Sequence, residues 1–169
     1  MFSIRPEKSA DREAISEVNI EAFGQADEAN LVDTLRDAGA LIISLVAVRN
    51  DQVVGHIAFS PVNIASDDGS FTALGLAPMA VLPEHQNQGI GSQLVEAGLK
   101  ECLRSGHDLV IVLGHAEYYP RFGFVPAGPL GISWDREVPE DAFMVVELGT
   151  GVLAGRTGEV KFHPAFDAI

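Results

Sequence analysis

Apolar residues recur along this chain at two different spacings, every second position in some stretches and every third or fourth in others. Those stretches define its elements. Phe2 and Ile4 alternate with polar neighbours and predict a short strand that Pro6 ends. Ile15, Val18, Asn19 and Ala22 follow helical spacing, which predicts a helix from about Ser9 to Phe23 with Ser9 or Asp11 as its cap. A second amphipathic helix is expected from about Asp27 to Ala38 on Leu31, Val32 and Leu35, with Gly39 placed to stop it. The runs Ile42 to Arg49 and Val53 to Val62 are rich in β-formers, and Asn50-Asp51-Gln52 between them reads as a hairpin turn. Gly55, inside the second run, marks a bulge or a close backbone approach.

A polar turn over Ala65 to Gly69 leads to a strand over Phe71 to Leu82. From Gly89 to about Ser105 the period becomes helical. Ile90, Leu94, Gly98 and Cys102 share one face, Gln93, Glu96, Lys100 and Arg104 lie opposite, and Gly106 ends the run. Leu109 to Leu113 is wholly apolar, as in a strand covered on both faces. A short helical turn over Tyr118 to Arg121 and late strands over Phe143 to Leu148 and Val160 to Phe162 complete the series. The strand–helix–strand order in the middle makes a βαβ unit with an expected right-handed crossover. The whole predicts an α/β (α+β) fold, in which one mixed, mostly antiparallel twisted sheet carries helices on both faces. Residues 1–169 are read as a single domain, with a core of about 2–150 and a C-terminal extension of 151–169.

Composition narrows the chemistry. There are 24 acidic and 11 basic residues, for a net charge of −13, and no basic cluster, so a nucleic-acid partner is not expected. The same field attracts a cationic amine and opposes a polyanion, so any bound phosphate must rest on local backbone groups. The lone Cys102 leaves no internal disulfide to form and reads as a small buried hydrophobe in a reducing compartment. The N-terminus has no signal-peptide core and no apolar run reaches membrane length, so a cytoplasmic protein without a membrane partner is expected. His56, His107 and His163 lack the spacing of metal ligands, and no metal is expected. Trp134 is read as a packing residue, with a place in the lining of the acceptor pocket as the alternative.

The segment from Val81 to Ser92 carries the clearest chemical signal. A buried strand ends at Pro83, a polar loop follows, and a helix opens at Gly89-Ile90-Gly91. Such a loop aims unpaired backbone N–H groups at one point, at the positive end of the helix dipole, and the glycines let a diphosphate approach closely. A P-loop is excluded because no Gly-Lys pair occurs, and a dinucleotide fingerprint is excluded because Leu94 stands where its third glycine belongs.

Gln86-x-x-Gly89-x-Gly91, after a strand ending in Val-x-Pro, resembles the acyl-CoA-binding motif of the GNAT superfamily of N-acetyltransferases. Val54-Gly55-His56-Ile57 resembles that family's third strand, and Tyr118-Tyr119-Pro120-Arg121-Phe122-Gly123-Phe124 its Phe-Tyr-x-x-x-Gly-Phe segment. The matches span about residues 2 to 150. Leu76 to Val81 and the tail from Gly158 to Phe166 look most like the YhbS-like branch.

The resemblance implies a fold with a V-shaped slot beside the fourth strand. In it, backbone groups of Met79, Ala80 and Val81 would pair with the pantetheine arm of acetyl-CoA. Backbone N–H groups from Gln86, Asn87, Gln88, Gly89, Ile90 and Gly91, with the Ser92 hydroxyl, would bind the pyrophosphate. An amine of a small molecule or peptide would attack the thioester directly, the oxyanion polarised near Val81. Tyr119 would protonate the departing thiolate. The resemblance breaks at Gly75, where some members carry a basic glutamate. Glu84, His85, His115, Glu117, Asp27 and Glu28 are the remaining candidates for a base. A non-catalytic acyl-CoA sensor or interaction module is the alternative reading, and exposed edge strands would allow a homodimer.

Overall fold

The computed structural model describes residues 1–168. Its elements are β1 (Ser3–Pro6), α1 (Arg12–Phe23), α2 (Asp27–Asp37), β2 (Ile43–Arg49), β3 (Gln52–Ser66), β4 (Gly69–Val81), α3 (Ile90–Arg104), β5 (Leu109–Leu113), β6 (Val125–Pro126), β7 (Ile132–Trp134), β8 (Phe143–Glu147) and β9 (Gly158–Phe162), with short 3-10 turns between several of them. The strands form one sheet in the order β1-β2-β3-β4-β5-β8-β6, and β9 and β7 extend it from the outer half of β3. Among the described residues only β4–β5 and β7–β9 are parallel. The mixed, mostly antiparallel α/β architecture is therefore the expected one.

The hairpin between β2 and β3 turns on two residues, Asn50 and Asp51, both left-handed with φ of 51° and 61°, the turn that matches strand twist. Gly55 combines both readings made of it. Ala47 pairs with Gly55 and Val48 with Val53, so Val54 bulges from β3. A Cβ on Gly55 would also lie 3.0 Å from Leu94 and 3.1 Å from Ile90, both in α3. Helix α3 approaches the sheet closely again at Gly98, where a Cβ would stand 2.5 Å from the Phe59 ring. Helix α1 covers the opposite face, to which the side chain of His56, next in the strand after Gly55, points. Helices on both faces seal the core between them.

Two local expectations are corrected. Asp11 stands at the N-cap position of α1 but makes no side-chain capping bond to it. A 3-10 turn begins at Ser9 and puts Asp11 third in it, so the carboxylate reaches back to accept from the Lys8 N–H at 2.7 Å and to pair with Arg5 at 2.7 Å. Leu113, expected to be covered, is 44% exposed, because β4 has parted from β5 by that point. The segment around Trp134 forms a strand, β7, on which Trp134 stacks against Phe143 at 5.8 Å and meets Phe162 edge-on at 5.2 Å. Three residues are too few to display a period, so β7 left no trace in the pattern. Cys102 is fully buried, and burial pushes its thiol up to about 12. No helix among the described residues is long and apolar enough to cross a membrane.

Candidate active site

The central parallel pair is brief. β4 and β5 pair at Leu74–Val110 and Gly75–Ile111, then both strands run on without pairing, β4 to Val81 and β5 to Leu113. The cause lies on the other edge of β4. Ile57 pairs with Met79 and Phe59 with Leu76, so two residues of β4, Ala77 and Pro78, oppose the single Ala58 of β3. A bulge of that kind bends its strand, and here β4 turns away from β5. The divergence opens a cleft of about 890 Å³ walled by β4, the loop before α3, the end of β5 and the α1–α2 corner.

The pairing register also fixes which backbone groups face that cleft. The Leu82 N–H donates to the Val54 carbonyl at 2.9 Å, so Leu82 and Ala80 direct their backbone groups to β3. By alternation, Met79 and Val81 direct theirs into the cleft. The Val81 carbonyl is already engaged, accepting from the Gln86 side-chain amide at 2.9 Å. The Val81 N–H remains presented.

At the wide end of the wedge, after Val81, the loop turns through left-handed residues at Asn87, φ 61°, and Gly89, φ 84°. Its backbone N–H groups from Asn87 to Ser92 find no acceptor within the described residues, and the first bond of the α3 ladder is from Gln93 to Gly89 at 3.1 Å. Nothing lies within 4 Å of where a Cβ on Gly89 would stand. A concentration of unpaired donors at a helix start, without covering side chains, is a cradle for an anionic group such as a phosphate. The cofactor candidates Met79, Ala80, Val81, Gln86, Asn87, Gly89, Ile90, Gly91 and Ser92 all border the cleft. Gln88 does not: its side chain turns outward and accepts from Arg49 at 2.7 Å. Arg49 also meets His85 Nδ1 at 3.2 Å, so it braces the loop from behind.

The two tyrosines divide their duties. The Tyr118 hydroxyl lies 3.1 Å from Ser92 Oγ, which ties the 3-10 turn after β5 to the first turn of α3. Tyr119 is 7% exposed, packed edge-on against Tyr118 at 5.1 Å and Phe124 at 5.6 Å, and it borders the cleft. Its hydroxyl has no partner among the described residues, yet it is not one of the sealed polar atoms. Burial, with a smaller contribution from Tyr118, pushes its phenol up to about 12, so it carries its proton throughout the physiological range. Gly114 makes the position available: a Cβ there would stand 2.3 Å from the Tyr119 ring. Sequence reasoning passed over Gly114 and Arg49, since each meets its partner only through the fold.

The base candidates separate. His85, His115 and Glu28 border the cleft, whereas Glu84, Glu117 and Asp27 do not. Gly75 is closed to a side chain, because a Cβ there would lie 2.9 Å from Val62 and 3.1 Å from the Phe162 ring of β9. Beneath α1 lies a polar chain that the sequence did not disclose. Asn19 Nδ2 donates to His56 Nδ1 at 3.3 Å, His56 Nε2 donates to Ser44 Oγ at 2.8 Å, and Ser44 donates to Glu7, which Arg36 holds at 3.0 Å. Burial pushes His56 down to about 4. The chain does not border the cleft, so it belongs to the frame. Among the described residues no group of three or more His, Cys, Asp or Glu is placed to hold a metal ion.

Known proteins share this arrangement. YhbS of Escherichia coli K12, an uncharacterized N-acetyltransferase, is 36% identical over 165 residues, covering 97% of this chain and 98% of that protein. The crystal structure of Escherichia coli YhbS in complex with CoA superposes with a TM-score of 0.92 at 35% identity, covering 98% of this chain and 92% of that one. A GNAT family acetyltransferase from Brucella melitensis, solved with acetyl-CoA, has a TM-score of 0.81 at 35% identity, covering 99% of each chain. The model of the acetyltransferase (GNAT) domain matches residues 3–127, which contain the wedge, the loop and both tyrosines, and the chain therefore belongs to the GNAT acetyltransferase family.

Proposed function

We propose that this protein transfers the acetyl group of acetyl-CoA to an amine by direct attack. The observation that carries the reading is the row of backbone N–H groups from Asn87 to Ser92, unpaired at the wide end of a cleft that β4 and β5 flank. The residues fit a coenzyme with a diphosphate, because the donors converge where Gly89 leaves open space. The two relatives solved with CoA and acetyl-CoA support the same ligand. Acetyl-CoA supplies an activated acetyl thioester. Met79 and Val81 hold the extended arm by backbone pairing as an added strand. The Val81 N–H meets the carbonyl oxygen as charge gathers on it. Tyr119, protonated and with its hydroxyl uncommitted, gives its proton to the departing sulfur.

A phenol near 12 would be a weak donor to an ordinary thiolate. Desolvation in the cleft acts on a thiolate in the same direction, which favours the transfer. The base is not a β4 carboxylate, since Gly75 has no room for one. His115, His85 and Glu28 border the route by which the amine's proton leaves, through water.

Titration calorimetry with acetyl-CoA tests the reading, with Gly89→Glu as control. The substitution places a strained residue at φ 84° and a carboxylate among the phosphate donors. Binding by the wild type that the control abolishes, followed by CoA release in the presence of an amine, is the expected result. A folded wild type that fails to bind acetyl-CoA would sink the proposal.

A further inference from the structure

The loop before α3 contains no lysine or arginine, and the chain as a whole carries 24 acidic residues against 11 basic ones. A diphosphate held by neutral N–H groups alone would have to enter against that field. The fold supplies a cation from elsewhere. Arg121, two residues after Tyr119 and thirty after Gly91 in sequence, is the only Lys or Arg bordering the cleft among the described residues. Its guanidinium lies 4.7 Å from the Tyr118 ring centroid, and Tyr118 in turn is bonded through its hydroxyl to Ser92 in the first turn of α3. Stacking on an aromatic face holds a guanidinium in place while leaving its donors unspent.

Its lack of a carboxylate sets Arg121 apart in so acidic a chain. Arg5, Arg12, Arg36, Arg104 and Arg136 each hold Asp or Glu within 4.0 Å. Arg156 covers Phe71 at a distance from the cleft, and Arg49 braces the back of the loop. Arg121 alone faces the ligand side with no carboxylate partner among the described residues.

We infer that Arg121 is a phosphate-binding residue, which closes over the nucleotide end of acetyl-CoA from the side opposite the backbone cradle and supplies the charge that the loop lacks. The inference rests on the coenzyme reading above. The Tyr118–Ser92 bond gives it a fixed geometry: the turn carrying Arg121 is anchored to the helix start that holds the donors, so cradle and cation move as one unit. A planar guanidinium also suits a phosphate better than an ammonium would, since it offers paired donors.

Calorimetry with acetyl-CoA and with 3′-dephospho-CoA, on wild type, Arg121→Gln and Arg121→Lys, decides the matter. Arg121→Gln should weaken acetyl-CoA binding about tenfold or more, and Arg121→Lys should restore most of the loss. The ratio of variant to wild-type Kd should shrink as salt rises, because screening removes the local attraction from the wild type while the field of the rest of the molecule is common to both. A loss seen with both ligands places Arg121 on the pyrophosphate, and a loss confined to acetyl-CoA places it on the 3′-phosphate. Equal affinity of wild type and Arg121→Gln, or a ratio indifferent to salt, would overturn the assignment. Failure of the wild type itself to bind would instead remove the coenzyme reading.

Discussion

At the scale of single residues, the proposed transfer depends on where Tyr119 stands and on what allows it to stand there. Tyr119→Phe removes the donor and keeps the ring, so kcat should fall on the order of 100-fold, while calorimetric affinity for acetyl-CoA stays at the wild-type value. An equal kcat would show that the proton reaches sulfur by another route. Gly114 is the complementary case. A methyl group at 2.3 Å from the ring cannot coexist with it, so Gly114→Ala should displace Tyr119 and cost about 1–3 kcal/mol in urea unfolding. Turnover should fall with it while the Asn87–Ser92 cradle keeps its affinity. That Tyr119, Gly89 and Gly91 would border one cleft could be read from the sequence because each belongs to a contiguous motif. The part played by Gly114 could not, since nothing local to the end of β5 reports that a ring five residues later folds back over it.

At the scale of elements, periodicity carried most of the information. Helices α1, α2 and α3 and the long strands each repeat their apolar positions often enough to declare a face. Their partners were less legible. Nothing in the alternation of β9 says that it will pair with the outer half of β3, yet that pairing brings Phe162 over Gly75 and leaves no room for a side chain there. The polar chain beneath α1 was hidden for the same reason, as it draws Glu7, Asn19, Ser44 and His56 from four separate segments.

That chain has a measurable consequence. His56 is neutral in the fold and is held down to about 4, whereas the unfolded chain protonates it near 6.5. Above 6.5 neither state binds the proton, so full stability is present at neutral pH. As pH falls from 6.5 toward 4 the unfolded state gains protons that the fold refuses, and stability declines by about 3 kcal/mol. Urea midpoints between pH 7 and pH 4 should show this decline, and His56→Gln should flatten it from a lower starting stability. An unchanged slope in the variant would assign the acid sensitivity to other groups.

At the scale of the whole molecule, charge sets the encounter with any anionic ligand. The net charge of −13 opposes the approach of acetyl-CoA at long range, whatever the cradle offers at contact. The association rate measured by stopped flow should therefore rise as salt is added up to physiological strength, where the screening length is about 8 Å. A rate that falls from the lowest salt upward would mean that local cations dominate the whole path of approach. The sign of the charge was plain from composition, but the distribution was not: the arginines paired with acids and those left to face the loop are sorted only by the fold.

The sheet itself is divided. Its two halves share hydrogen-bonded pairing only at Leu74–Val110 and Gly75–Ile111. A strand-like ligand lying between them adds to the cohesion of the fold, and mass action then favours the folded chain in proportion to ligand supply. Proteases that act on transiently opened molecules would meet fewer of them when acetyl-CoA is abundant. The abundance of this polypeptide in a cell would thereby follow the availability of the acetyl donor, through turnover of the chain and without any change in its synthesis.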